Sequence, residues 1–204
     1  YQRSLPLEEA LRPEVLLAWE MNGQPLLPQH GAPLRLVTPG WYGMTNVKWL
    51  RQVTVLREPF NGYQNALAYR YSQDRRDPGE PVALMLVRSL MIPPGIPDFL
   101  TRWRLVRAGT VELRGRAWSG RSEIVRVEVS TDGGSSWADA AVASPGGPHE
   151  WQSWSFPWPA SPGDQQLLCR ATDADGHVQP VEQPWNARGM GNNGAHRVFV
   201  RVVN

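Results

Sequence analysis

Lys48 is the residue in this sequence most suited to chemistry, because it is the only lysine among 21 Lys and Arg side chains. An ammonium group is a compact point charge that binds anions differently from the planar arginine fork. A single lysine against such a bias indicates an anion site. Gly40 and Gly43, just before it, allow left-handed backbone and the close approach of a ligand. The residues alone do not exclude the alternative, in which this stretch is an ordinary strand–turn–strand connection and the lysine is there by chance.

Two short apolar runs flank this stretch and are the elements that must position it. Leu34–Val37 precedes it, and the alternating run Val53–Leu56, which is rich in β-branched side chains, follows it. Both runs predict strands. Lys48 is therefore expected between two strands, at the end of a glycine-rich turn.

Other chemistries find little support in the sequence. Residues 189–194 fit G-x-G-x-x-G, but a strand pattern follows them, so the context of a dinucleotide site is missing. The four histidines and the single cysteine show no metal-ligand spacing, and no serine nucleophile elbow is present. Cys169 lies in an apolar run that predicts a core position and no metal ligand.

Composition bounds the class of protein without defining it. The 204 residues allow one or two domains, and a net charge of only +2 argues against a nucleic-acid groove. No signal peptide and no apolar run of membrane length is visible. The sequence starts at Tyr1 in what looks like the middle of a domain, so we expect a fragment or processed product. Its compartment, periplasmic or cytoplasmic, stays open.

The first residues predict a small α+β region. Ser4 is a candidate helix cap, with Pro6 in the first turn, and Asn22-Gly23 predicts a tight turn after a short helix or strand. These elements include too few strands to close a core of their own. They are typical of the end of an α+β domain.

A polar, proline-containing stretch from Asp74 to Pro81 predicts a linker, and the pattern after it is entirely β. Short strands separated by turn residues over about 120 residues predict an immunoglobulin-like sandwich, without the disulfide of antibody domains. The predicted strands are Thr110–Ala117, Ile124–Ser130, Gln152–Trp158, Gln166–Ala171 and His196–Val203.

The chain resembles the sulfite oxidase family of molybdopterin oxidoreductases. The glycine-rich turn that runs into Val47-Lys48-Trp49-Leu50 resembles the family's cofactor-binding stretch. Later motifs resemble its dimerisation domain: Gly115-Arg116-Ala117-Trp118-Ser119-Gly120, Ser130-Thr131-Asp132-Gly133-Gly134, Pro184-Trp185-Asn186-Ala187-Arg188-Gly189 and His196-Arg197-Val198. The similarity follows the family's order over nearly the whole chain.

The resemblance implies a mainly β chain in which two family domains follow one another. Residues 1–75 would be the C-terminal part of an α+β molybdopterin-binding domain, 76–81 a linker, and 82–204 an immunoglobulin-like dimerisation domain. A homodimer is the implied assembly. The electron acceptor is not indicated.

The resemblance also implies a molybdenum–molybdopterin cofactor in the full-length protein. The positions that match the pterin-holding residues are His30, Arg35, Asn46, Val47 and Lys48. A buried phosphate needs such cationic partners. The alternatives are a loop histidine for His30 and a strand arginine paired with an acid for Arg35. The family's metal-ligating thiolate would precede Tyr1, so we expect this chain alone to be inactive.

Two further residues match substrate positions of the family. Tyr69 matches a tyrosine beside the substrate, with Tyr71 as a competitor on the same strand face, and Arg188 matches an arginine of the oxyanion pocket. An interface salt bridge is the alternative for Arg188. The implied reaction is oxidation of sulfite to sulfate. An assimilatory nitrate reductase and a non-catalytic dimerisation module are the other readings of the function.

Overall fold

The structure, a computed structural model, describes all residues from Tyr1 to Asn204 and is mainly β. Its contacts divide the chain into two units. The first comprises Tyr1–Met85 with Trp185–Gly191, and the second comprises Leu86–Pro184 with Asn192–Asn204. Residues 82–85 and Trp185–Gly191 are therefore grouped with the N-terminal residues. The predicted domain limits, which follow the family's domains, stay a prediction.

The first unit consists of very short elements. Its strands form three antiparallel pairs, β1 with β4, β2 with β3 and β5 with β6, and its helical segments are single turns. The elements are α1 Leu7–Ala10, β1 Leu16–Ala18, β2 Glu20–Met21, β3 Gln24–Pro25, β4 Arg35–Val37, β5 Arg70–Tyr71 and β6 Glu80–Pro81, with 3₁₀ turns at Pro28–His30 and Gly43–Thr45 and a π-helical turn at Gln64–Ala68.

The turn predicted at Asn22-Gly23 is confirmed. It joins β2 to β3, and its two residues have φ angles of 53° and 74°, as a type I′ hairpin requires. The helix predicted near Ser4 is present only as the one turn of α1, after Pro6. Ser4 does not cap it, because Pro6 occupies the N-cap position and no side chain caps the turn. The Ser4 hydroxyl instead accepts a hydrogen bond from Asn65 Nδ2 at 2.5 Å.

The strand predicted at Val53–Leu56 is wrong. The segment is in no strand, and Val53 and Val55 are 72% and 80% exposed. Besides β1, the neighbour of β4 is the segment that carries Lys48, since Leu36 N–H donates to Val47 O and Leu50 N–H to Leu34 O, each at 2.8 Å. Alternation predicts a strand only where a partner offers backbone hydrogen bonds.

The second unit is built from two sheets. Strand order is β13-β14-β10-β7 in the four-stranded sheet and β12-β11-β15-β16-β9-β8 in the six-stranded sheet, and every pair except β16 with β9 is antiparallel. The strands are β7 Arg88–Ile92, β8 Ile96–Pro97, β9 Arg104–Arg107, β10 Gly109–Trp118, β11 Ile124–Ser130, β12 Ala138–Asp139, β13 Ala141–Val142, β14 Gln152–Ala160, β15 Gly163–Asp173 and β16 His196–Val203.

Both sheets turn alternate side chains into one hydrophobic core, which makes the unit a β-sandwich. Trp154 and Trp158 of the four-stranded sheet are 2% and 1% exposed, and Cys169 of the other sheet is fully buried. All five predicted strands are present, and β11 and β16 have the predicted bounds. The core position predicted for Cys169 is confirmed. No helix is long and apolar enough to span a bilayer.

Candidate functional site

Gly31 lies next to both cationic side chains of the candidate site, Arg35 and Lys48. It ends the 3₁₀ turn Pro28–His30 with φ +110°. A Cβ atom on it would lie 3.0 Å from Lys48 Cβ and 3.1 Å from Arg35 Cβ. The absence of a side chain at Gly31 therefore lets the turn, β4 and the lysine segment approach one another closely.

Backbone and indole hydrogen bonds fix the lysine segment against this turn. Trp49 N–H donates to Gly31 O at 3.3 Å, and the Trp49 indole N–H donates to Pro28 O at 2.8 Å. Trp49 has a left-handed φ of 51°, which is rare for a bulky residue. These contacts hold Lys48 beside Arg35.

Neither cation of the site is neutralised by a carboxylate. Lys48 Nζ donates to Gln29 O at 3.0 Å and lies 5.0 Å from the centroid of the Trp49 ring. Arg35 Nη1 donates to His30 O at 2.9 Å, while its Nε is buried without a hydrogen-bond partner. The structure therefore lacks the ion pair between Arg35 and an acidic side chain that was the alternative. Two unpaired positive charges and a buried free donor suit an anion such as phosphate.

The remaining residues matched to the cofactor site have different surroundings. His30 is exposed, and its carbonyl oxygen receives the Arg35 bond. Asn46 Oδ1 accepts from Thr38 N–H at 2.7 Å and so closes the glycine-rich loop between them. Val47 contributes its backbone to the pairing with β4. Asn46 and Val47 therefore shape the loop, whereas His30 lies beside the cations.

The two candidate substrate tyrosines lie in different environments. Tyr69 is partly buried, and the Arg3 guanidinium carbon lies 5.5 Å from the centroid of its ring. The pKa of Tyr1 is raised by the burial of Tyr1 first and by the Tyr69 phenol second. Tyr71 is partly buried, and burial first and the Tyr42 phenol second raise its pKa. Tyr71 therefore keeps its proton near pH 7, and the hydroxyl groups of both residues are able to donate hydrogen bonds.

Arg188 lies in a tight turn organised by Asn186. The Asn186 side chain accepts from Met190 N–H and donates to Met190 O, each at 2.9 Å, and Gly189 N–H donates to Asn186 O at 3.0 Å. Asn186 is 7% exposed, whereas Arg188 is exposed and forms no ion pair. The hydrogen-bonded turn thus fixes the backbone at Arg188, and the unpaired guanidinium extends into solvent.

Backbone contacts seat this turn on the segment after Tyr69. Ala187 N–H donates to Ser72 O at 2.8 Å. Gly191 has φ +60°, and a Cβ there would lie 2.5 Å from the Tyr71 hydroxyl. The structure therefore brings Arg188 and the tyrosines into the same unit as the cationic site, with Tyr42 of the glycine-rich loop beside Tyr71.

Sequence reasoning gave Gly31 no role and named Trp49 and Asn186 only as members of family motifs. For Gly31 the available signal was a glycine after a short helical turn, the usual place for a left-handed cap. For Asn186 it was a small amide residue three positions before a glycine, typical of a side-chain-closed turn. No local signal indicated the left-handed backbone of Trp49, because distant partners set it.

One further group of ligand-type side chains occurs in the second unit. Single ligand atoms of Asp173, Asp175 and His177 lie within 4.8 Å of one another. Both Asp173 oxygens already accept hydrogen bonds, one from Ser119 Oγ at 2.8 Å and one from His177 N–H at 2.9 Å. Hydrogen bonding within the turn accounts for this arrangement.

Comparison with known proteins matches both parts of the chain. Residues 1–64 match the oxidoreductase molybdopterin binding domain, and residues 82–203 match the Mo-co oxidoreductase dimerisation domain. Mitochondrial sulfite oxidase of Mus musculus is 37% identical over 100% of this chain, and that of Homo sapiens is 38% identical over 99%. Nitrate reductase [NADH] 1 of Oryza sativa subsp. japonica is 30% identical over 99% of the chain and 25% of its own length.

A solved structure agrees with these matches. The sulfane dehydrogenase SoxCD from Paracoccus pantotrophus superposes with a TM-score of 0.83 and 28% identity, over 97% of this chain and 51% of that one. The two family-model matches define the class: the chain carries domains of a molybdopterin oxidoreductase. Within that class, the chain belongs to the sulfite oxidase family. It spans 39% of the length of the two mammalian relatives.

Proposed function

We propose that this chain is the C-terminal part of a sulfite oxidase-type enzyme that oxidises sulfite to sulfate. The observation that carries the proposal is the pair of cations around Gly31, Arg35 and Lys48, which have no carboxylate partner. They lie within the residues that match the molybdopterin binding domain. The mammalian relatives named above are sulfite oxidases.

The residues around Gly31 fit the phosphate of a molybdopterin. Lys48 offers an exposed ammonium, Arg35 a partly buried guanidinium with a free Nε, and His30 an exposed imidazole. Asn46 and Val47 would keep the glycine-rich loop closed around the group. When bound, the molybdenum cofactor supplies the two-electron oxidation of the substrate, and the protein supplies charge and orientation.

Arg188 and Tyr69 would bind the substrate oxyanion. The exposed Arg188 fork suits two parallel hydrogen bonds to an oxyanion, and the Tyr69 hydroxyl would donate one more. Tyr71, which packs against Gly191 at the end of the Arg188 turn, stays the competing phenol. Residues 82–204 would serve dimerisation, as the family match over 82–203 supports.

The alternative substrate is nitrate, because a nitrate reductase is 30% identical over nearly the whole chain. Both substrates are oxyanions, and the cationic groups named above do not distinguish them. A direct assay on the full-length protein does. Turnover of nitrate without turnover of sulfite would replace the first proposal by the second.

The test of the site is steady-state sulfite kinetics on the full-length protein, with cofactor loading measured for each variant. A bidentate charge-assisted contact contributes roughly 1.5–3 kcal/mol, so Arg188→Gln should raise KM about 10- to 100-fold. Arg188→Lys should raise KM less than Arg188→Gln does, because the positive charge is kept. KM should still exceed the wild-type value, because an ammonium cannot reproduce the two parallel hydrogen bonds of the guanidinium. Tyr69→Phe should raise KM by a smaller factor, because it removes one hydrogen bond from an uncharged donor, whereas Arg188→Gln removes a bidentate contact from a cation.

Arg57→Gln is the matched control, because Arg57 is an exposed arginine of the same unit. Its KM should equal that of the wild type. An unchanged KM in Arg188→Gln at full loading would remove Arg188 from the substrate site. If Tyr71→Phe raised KM more than Tyr69→Phe, the phenol's role would pass to Tyr71.

A further inference from the structure

The hairpin that joins β8 to β9 in the second unit ends in a short turn. The two strands are antiparallel, and Asp98 N–H extends their pairing by donating to Trp103 O at 2.8 Å. Arg102 N–H donates to Asp98 O at 3.0 Å, and Arg102 has a left-handed φ of 65°. The chain therefore reverses within residues 99–102, as in the four-residue loops of β-hairpins. We call residues 98–103 the hairpin tip.

The polar side chains of the hairpin tip close the turn among themselves. Asp98 Oδ2 accepts a bond of 2.9 Å from Thr101 N–H and a second bond from the Thr101 hydroxyl. Thr101 Oγ1 accepts in turn from Trp103 N–H at 3.3 Å. The two bonds from Thr101 lower the pKa of Asp98, so its carboxylate stays ionised and is engaged within the turn. The side chains of Phe99 and Leu100 are therefore not needed to close it.

Phe99 and Leu100 occupy the first two positions of the loop and extend into water. They are 81% and 86% exposed, the highest values among the large apolar side chains of the chain. Such loop positions usually hold Gly, Asn, Asp or Ser, which favour turns by themselves. Two adjacent large apolar side chains on a hydrogen-bonded projection indicate a contact surface, because their exposure costs free energy that the turn does not require.

The free charges around the hairpin tip are positive. The Arg102 guanidinium carbon lies 5.8 Å from the centroid of the Phe99 ring, and no carboxylate pairs with it. Arg104 on β9 donates to three backbone carbonyl oxygens and is not paired with an acid either. Residues 93–107 contain three arginines and one acidic residue, Asp98, whose carboxylate is engaged in the turn. The tip therefore combines an apolar end with uncompensated positive charge.

Size and charge together favour a lipid surface over a protein as the partner of the hairpin tip. A stable protein–protein contact buries about 800 Å² on each side, whereas two large side chains offer roughly 200 Å² each. A bilayer requires no complementary shape, since apolar side chains enter the boundary of the acyl chains and neighbouring cations contact anionic headgroups. Trp103 at the base of the tip is a residue type enriched at headgroup depth.

We propose that the hairpin tip binds the surface of an anionic membrane, with Phe99 and Leu100 inserted among the lipids and Arg102 beside the headgroups. The binding is peripheral and reversible, because two apolar side chains and a few cations hold a protein far less tightly than a spanning helix does. The proposal is independent of the activity proposed above, since no residue of the tip belongs to the candidate site.

Co-sedimentation of the full chain with lipid vesicles tests the proposal. Vesicles of equal parts phosphatidylcholine and phosphatidylglycerol should bind the wild type, and pure phosphatidylcholine vesicles should bind it at least about 5-fold more weakly. Phe99→Ser with Leu100→Ser should lower the partition coefficient for the anionic vesicles about 30-fold, because the inserted apolar area is lost. Arg102→Gln should lower it about 5-fold at low salt and less at high salt.

Val53→Ser with Val55→Ser is the matched control, because these side chains are 72% and 80% exposed but lie in the first unit. Its partition coefficient should equal that of the wild type, and circular dichroism should show both double variants folded. Equal losses in the two double variants would assign the binding to exposed apolar surface in general and overturn the proposal. If the wild type does not sediment with anionic vesicles, while the tip variant changes self-association in sedimentation equilibrium, the tip is a protein contact and the proposal is wrong.

Discussion

The backbone N–H of Ala187 donates a hydrogen bond of 2.8 Å to the carbonyl oxygen of Ser72. This bond joins the turn that carries Arg188 to the segment that follows Tyr69 and Tyr71. The turn lies between two stretches of the sandwich in sequence, yet its contacts group it with residues 1–85. A residue from late in the chain is thereby held in the unit that contains Arg35 and Lys48.

Asn186→Ala should loosen this turn without unfolding the protein. The change removes two side-chain hydrogen bonds to Met190. At about 0.5–1.5 kcal/mol each, their loss should speed tryptic cleavage after Arg188 about 5- to 100-fold by raising the population of the opened turn. Mass spectrometry of timed digests measures the rate. Asn61→Ala, in an exposed loop of the same unit, is the control, and equal rates in both variants would contradict the role of Asn186.

Gly31→Ala should destabilise the first unit more than Gly23→Ala does. Both glycines have positive φ, so both changes carry the backbone cost of about 1–2 kcal/mol. A Cβ on Gly23 meets nothing within 4 Å, whereas one on Gly31 meets Lys48 and Arg35 at 3.0 and 3.1 Å. Crowding should add roughly 1–3 kcal/mol. Urea unfolding measures both free energies, and equal losses would show that the close approach at Gly31 is unimportant.

Cys169 should make the stability of the sandwich fall at high pH. Burial raises the pKa of its thiol from 9.0 to about 11, so the folded state binds this proton more tightly than the unfolded state does. The stabilisation is complete below pH 9 and is lost as pH rises towards 11, by about 2–3 kcal/mol.

The free energy of unfolding of the wild type and of Cys169→Ala, measured from pH 8 to 11, isolates this contribution from that of the tyrosines. The wild-type curve should fall more steeply with pH than the variant curve. Parallel curves over this range would show that the thiol does not titrate differently in the two states.

The sequence by itself determined the strands of the sandwich and the Asn22-Gly23 hairpin. Strands β11 and β16 have the bounds that their apolar alternation predicts, because a two-residue period depends only on neighbours along the chain. The hairpin turn is equally local, since Asn and Gly accept the positive φ angles that it needs. The family, too, followed from motifs in their order along the chain.

Tertiary structure alone decided how the candidate site is assembled. Val53–Leu56 alternates like a strand but has none to pair with, while the lysine segment beside it pairs with β4. The space for a side chain at Gly31 is restricted only because Arg35 and Lys48 approach it from different segments. The Arg188 turn lies on Ser72 through one backbone bond. Each of these depends on hydrogen-bond partners and free space supplied by residues far away in the chain, which no local pattern encodes.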